Sequence, residues 1–216
     1  EFYVSPDWFL GENEPALIAR AEAAGARLFE LTKEAFAKVA YRERPDGLLA
    51  IIPQWRTKLD ELELSDPPFL LVVEAIEKPG NLGTILRTAA AAGVREVLLT
   101  AGCAGAWSPR ALRAGMGAHF VLHIHERVDA VHALGAFRGA ILATAVGEGA
   151  RSLYELNLDA PVAWLFGAEG QGVSPALLAC ASQRVIIPMA GDIESLNVAA
   201  AVAVCLFEQV RQRRLP

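Results

Sequence analysis

A series of short apolar runs, four of the six followed by a helical pattern, constrains this chain more than any other feature. Phe69–Glu74, Glu96–Thr100, Phe120–Ile124, Ala140–Thr144, Val162–Phe166 and Val185–Ile187 read as strands. FLLVV and VAWLF carry no polar alternation, so each needs cover on both faces. Helical patterns lie between them. One spans Leu82–Ala92 and is closed by Gly93, and one is opened by Ser108-Pro109 and runs through Arg113. Another is opened by Ser174-Pro175, and the last spans Leu196–Arg211. Strands alternating with helices predict an α/β fold with a parallel sheet. No internal repeat interrupts the pattern.

The N-terminal part reads differently. Phe2–Val4, Leu28–Leu31 and Leu48–Ile52 are expected strands. Asn13 is expected to cap a helix over Glu14–Ala24 that Gly25 stops, and Thr32 to cap a helix to about Ala40. This βαβαβ fragment is small for a domain. The expectation is that the natural start lies upstream and that a preceding helix covers this sheet. Residues 57–68, TKLDELELSDPP, are charged and end in two prolines, as a linker does. The predicted organisation is therefore 1–56, linker 57–68, and 69–216.

Composition narrows the function classes. At 53% apolar, the 216 residues suffice for a full core. No apolar run approaches the roughly 18–20 residues of a membrane helix, so no membrane partner is expected. Three distant cysteines, odd in number and without CxxC spacing, point to a reducing cytoplasm. A net charge of −5 argues weakly against a polyanionic partner. Local clusters can override it: Lys33, Lys38, Arg42 and Arg44; Arg110 and Arg113; Arg211, Arg213 and Arg214. His119, His123 and His125 could be imagined around a metal, and His123 and His125 share a strand face. No cysteine lies nearby, and no metal is expected.

Three segments depart from a plain α/β core. Lys78-Pro79-Gly80-Asn81-Leu82-Gly83-Thr84-Ile85-Leu86-Arg87 joins a strand's carboxyl end to a helix, where open α/β sheets place ligands. Asn81 reads as an N-cap and Arg87 as an exposed helical cation. Gly167-Ala168-Glu169-Gly170-Gln171-Gly172-Val173-Ser174 holds three glycines and one carboxylate. It matches neither GxGxxG nor a P-loop. Ile186–Val198, IIPMAGDIESLNV, enters the last helix. Ser195 reads as its N-cap, and Asn197 as a poor helix former placed two residues inside.

Taken in order, PGNLGTILRTA, LFGAEGQGVS and IPMAGDIESLNVAAA resemble the three signature motifs of SpoU-type RNA ribose 2′-O-methyltransferases of the SPOUT superfamily. The match runs from Phe69 to about Arg211. The first sixty residues more faintly resemble the small RNA-recognition domain that often precedes this catalytic domain. The resemblance implies a C-terminal trefoil knot, S-adenosylmethionine as methyl donor, and a homodimer formed through the last helix. It places Gly167, Ile187 and Leu196 in the cofactor pocket. It assigns catalysis to Arg87, Asn81, Glu169, Ser195 and Asn197, with Glu169 orienting Arg87. The implied substrate is RNA, ribosomal in preference to transfer RNA. The family pattern has Ser or a similar residue where this chain has Gly115. A non-catalytic RNA-binding member and a nucleotide-dependent oxidoreductase are the competing readings. The second lacks its GxGxxG after the Phe69 strand.

Overall fold

The computed structural model describes residues 1–41, 43–55, 58–59, 62, 69–191 and 195–213. The chain divides into two compact units, Glu1–Trp55 and Arg56–Pro216. Most of the expected linker, 57–68, lies outside the described residues, as do Arg42 and Arg214.

The smaller unit runs β1 (Phe2–Val4), α1 (Glu14–Ala23), β2 (Leu28–Glu30), α2 (Lys33–Val39) and β3 (Leu48–Ala50). Its sheet has the order β2-β1-β3, with β2 parallel and β3 antiparallel to β1. Thr32 caps α2 as expected, its Oγ1 accepting from Ala35 N at 3.3 Å. Asn13 does not cap α1 through its side chain. Glu14 organises that end instead: its Oε1 accepts from Leu10 N and Gly11 N, both at 3.0 Å, and folds the preceding loop back onto the helix.

The larger unit contains β4 (Phe69–Val73), α3 (Pro79–Ala91), β5 (Glu96–Leu99), α4 (Pro109–Gly115), β6 (His123–His125) and α5 (Ala130–Leu134). It continues through β7 (Ala140–Thr144), β8 (Arg151–Ser152), β9 (Val162–Phe166), α6 (Pro175–Leu178), β10 (Gln183–Ile186) and α7 (Val198–Arg213). The sheet order is β6-β5-β4-β9-β7-β10-β8, and every pairing is parallel. Strand alternation splits the core in two. Leu71, Val73, Trp164 and Phe166 pack with residues of α3 and α7 on one face. Leu70, Val72, Ala163 and Leu165 pack with residues of α5 and α6 on the other. Within the first core, Trp164 Nε1 donates to the buried Gln209 Oε1 at 2.6 Å and ties α7 to the sheet.

Helices α3 and α4 meet through Gly83, where any Cβ would overlap the Ala111 carbonyl. The strand expected at Phe120–Ile124 begins only at His123. Left-handed backbone at Met116 (φ +46°) and Gly117 (φ +88°) ends α4, and a 3-10 turn at Ala118–Phe120 follows. That turn leaves Phe120 and Val121 exposed. His123 Nδ1 and His125 Nε2 hold the two oxygens of buried Glu96, at 2.6 and 2.7 Å. The C-terminal arginines are also engaged. Arg211 pairs with Glu208, while Arg213 donates to the Ala160 carbonyl and lies over the Phe69 ring.

Candidate active site

Because the sheet is wholly parallel, the chain leaves β4, β9 and β10 at the same edge. The three unusual segments begin there. After β4, Ala75 adopts a left-handed backbone (φ +53°), uncommon without glycine. Its N–H donates to Thr100 Oγ1 at 3.2 Å. Helix α3 starts earlier than the sequence suggests. Lys78 occupies the cap position and Pro79 opens the helix, so Asn81 lies in the first turn rather than at the cap.

After β9 the chain folds back on itself. Gly172 N donates to Ala168 O at 2.9 Å, with Gly170 and Gly172 at positive φ. Gly167 lies so close beneath this turn that a Cβ would overlap the Gly172 carbonyl. The fold-back leaves the Glu169 side chain partly exposed. Glu74, at the end of β4, anchors the loop's far end by accepting from Ser174 N at 2.7 Å.

The last helix begins later than expected. Asn197 immediately precedes α7, and its Oδ1 accepts from Ala199 N at 3.0 Å. Asn197 therefore performs the capping expected of Ser195, which is exposed. Asp192, Ile193 and Glu194 lie outside the described residues. Ile187 packs partly buried against the core, while Leu196 remains 40% exposed.

Glu169 gathers the three segments. Its Oε1 accepts from Asn81 Nδ2 and, at 3.3 Å, from Asn197 Nδ2, while its Oε2 pairs with Lys78 Nζ. Asn197 Nδ2 also reaches Asn81 Oδ1 at 3.5 Å. The structure thus brings Asn81, Glu169 and Asn197 together, and Ser195 and Leu196 lie next to Asn197 in the chain. Arg87 stands apart. Six residues beyond Asn81, it projects about 120° round the helix. It is exposed and bonds no described residue, Glu169 included. The sequence assigns no role to Lys78, which opens the first unusual segment, or to Glu74, whose only signal is an acid closing an apolar strand.

Arg87 borders a shallow depression of 260 Å³, lined also by Ala90, Gly115, Met116, Gly117, Ala118 and Val121. The glycine at 115 has a steric reason: a Cβ there would lie 2.6 Å from His119 Cε1. The His119 ring is fixed by burial and by its Nε2 bond to Ala106 O at 2.8 Å. Burial lowers its pKa below the ordinary histidine value, so the neutral ring is favoured. With the carbonyl as acceptor, Nε2 carries the proton.

The SpoU rRNA Methylase family profile matches residues 68–207. The chain belongs to this family. The SpoU match includes every residue of the Glu169 cluster and Arg87. Along most of its length, the chain is 38% identical over 207 residues to an uncharacterized tRNA/rRNA methyltransferase of Synechocystis, covering 94% of this chain and 74% of that one. It is 34% identical to a Ralstonia 23S rRNA (guanosine-2′-O-)-methyltransferase, RlmB, covering 89% and 80%. The AdoMet-bound rRNA methyltransferase from Sinorhizobium meliloti superposes with a TM-score of 0.85 at 26% identity, covering 100% and 80%.

Proposed function

We propose that this SpoU protein transfers a methyl group from S-adenosylmethionine to a ribose 2′-hydroxyl of ribosomal RNA. The observation that carries this reading is the convergence of Asn81, Glu169 and Asn197, from three separate segments, at the carboxyl edge of a parallel sheet; the helix that follows β4 presents an exposed Arg87 that no described residue pairs. Ligands of open α/β sheets bind at such an edge. The relatives support the ribosomal substrate: the Ralstonia protein is named for 23S rRNA.

The residues present fit the cofactor. Gly170 and Gly172 have no described neighbour within 4 Å of a virtual Cβ, so a ligand can approach the loop backbone beside Glu169 closely. Gly167 fixes the fold-back, while Ile187 and Leu196 offer apolar surface. When bound, the cofactor supplies an electrophilic methyl on a sulfonium, already a good leaving group.

The protein's share is alignment and charge stabilisation. Asn81, Glu169 and Asn197 hold the loops in register, with Ser195 beside them to contact the ribose. A guanidinium stays protonated, so Arg87 is no base. It binds the neighbouring phosphate and stabilises charge growing on the 2′-oxygen. The proton leaves to a phosphate oxygen or water. Any orienting of Arg87 by Glu169 requires a rearrangement on substrate binding, because the free chain commits that carboxylate to Lys78 and the two amides.

The finer features follow the same reading. Strand β9 enters between β4 and β7, and α7 packs against the face that α3 covers, an arrangement consistent with a C-terminal trefoil knot. Helix α7 leaves Ala200 and Phe207 exposed, with Ala203 and Val204 half covered, an apolar strip suited to a homodimer. The Glu1–Trp55 unit serves as an RNA-recognition domain, joined through linker 57–68. The enzyme works in the cytoplasm, where ribosomal RNA is found. No helix among the described residues is long and apolar enough to cross a membrane.

The test is transfer of labelled methyl to unmodified ribosomal and transfer RNA, with Arg87→Ala alongside. Label in ribosomal RNA that falls at least ~100-fold in the variant supports the reading. Label in transfer RNA alone moves the substrate class. Absence of S-adenosylmethionine binding overturns it.

A further inference from the structure

We infer that Lys78 is a positioning residue of the methyl-transfer site, acting through Glu169 rather than on the RNA. The inference rests on the proposed function for its kinetic readouts, but its geometry stands independently.

The hydrogen bonds around Glu169 have a fixed direction. Asn197 Oδ1 is committed to Ala199 N, so its amide must point its Nδ2 outward, toward Glu169 Oε1 and Asn81 Oδ1. Asn81, accepting on Oδ1, turns its own Nδ2 to Glu169 Oε1. Both amides therefore act on one carboxylate oxygen. The other oxygen is held by Lys78 Nζ.

A carboxylate held only through Oε1 can swing about that atom, and terminal carboxyl torsions are broad. Lys78 removes this freedom. The residue is well placed for it: the cap position of α3 has a fixed backbone, and Pro79 follows immediately. The ammonium side chain is 72% exposed and Glu169 32% exposed, so the pair adds little to fold stability. Its effect falls on geometry: the ammonium fixes the plane of the carboxylate to which the amides of Asn81 and Asn197 are bonded. Asn81 Nδ2 retains a second N–H, and the carboxylate plane sets where that donor points.

The experiment compares Lys78→Met, Lys78→Arg, Glu169→Gln and the Lys78→Met/Glu169→Gln double variant in steady-state methyl transfer at fixed salt. Side-chain amide NMR of Asn81 and Asn197 is recorded in the cofactor-free protein. We expect Lys78→Met to lower kcat about tenfold with the RNA KM within about twofold, and Lys78→Arg to restore most of it. On the Glu169→Gln background, Lys78→Met should cost less than about twofold, because interacting residues are non-additive. Both amide signals should shift in Lys78→Met.

A loss confined to KM, or one that multiplies fully with Glu169→Gln, would assign Lys78 to the RNA phosphates and overturn the inference. Unchanged amide signals would overturn it whether or not the protein methylates RNA. Shifted amide signals in a protein that methylates no RNA would leave Lys78 as the positioner of Glu169 and remove the proposed reaction instead.

Discussion

Glu96 and Glu169 are both carboxylates shared among donors from separate segments, yet they do different work. Glu96 is buried on β5 beside two histidines of β6, with Glu96 directly opposite His123 in the ladder. Its partners come from a neighbouring strand and are fixed by sheet register. Glu169 is part-exposed on a glycine loop, and its partners come from a helix start and a helix cap far away in sequence. The first arrangement fixes an edge strand whose alignment the backbone already specifies. The second gathers loops that no ladder aligns. Burial makes the first costly to break, because a buried N–H without an acceptor loses its full desolvation energy. Exposure makes the second cheap in stability and therefore free to serve chemistry.

The largest expected effect separates the two at once. Glu169→Gln should lower the methyl-transfer rate ~100-fold while leaving the unfolding midpoint within a degree or two. A midpoint that drops sharply would make Glu169 a structural carboxylate like Glu96. Next, Glu96→Gln removes an acceptor from one of two histidines and should cost ~1–3 kcal/mol. At about 2–4 °C per kcal/mol for a chain of this size, thermal unfolding reads it directly. Its turnover per folded molecule should stay near wild type, and a selective loss of turnover would end the contrast.

Asn197 sharpens the comparison because it serves both purposes. Asn197→Asp keeps the oxygen that caps α7 but loses the amide donor to Glu169, so activity should fall with stability nearly unchanged. Asn197→Ala loses both and should cost a further ~1 kcal/mol of stability. Equal melting of the two variants would remove the capping role.

A third carboxylate gives the smallest effect. The Arg211 guanidinium, bonded through two nitrogens, holds Glu208 down to about 2. Since the folded value lies below that of the unfolded chain, this contribution is full above about pH 4.5. It is lost as pH falls toward 2. Glu208→Gln should flatten the pH dependence of stability in that window, and an unchanged acid limb would show that solvent screens the pair.

The sequence made the repeating architecture legible and left the convergence hidden. β7 and β9 lie where their apolar runs begin and end, because a run covered on both faces has no competing reading. β6 was misplaced because Phe120 and Val121 are apolar but exposed, beyond a left-handed turn that the residue Met116 does not advertise. The short α5 and β8 carried too few residues to show a period. Asn81 reads as a cap but lies in the first turn, because Pro79 opens α3, and Asn197 reads as a residue inside the last helix but caps it in place of Ser195, because α7 starts only at Val198. The Glu169 partners could not be read locally: 88 residues separate it from Asn81 and 28 from Asn197. Only the family resemblance joined those motifs before the fold did.

The strand order carries a consequence for synthesis. β9 is one of the last strands made, yet it sits between β4 and β7. A nascent chain that has emerged only as far as Asp159 therefore holds β4 with β5 and β6 on one side and β7 unjoined on the other. The edges of β4 and β7 lack the partner that will cover them. Such edges are templates for wrong pairing. They close only when Val162–Phe166 arrives, so the productive sheet belongs to the late, long-range phase of folding, where topology slows the rate.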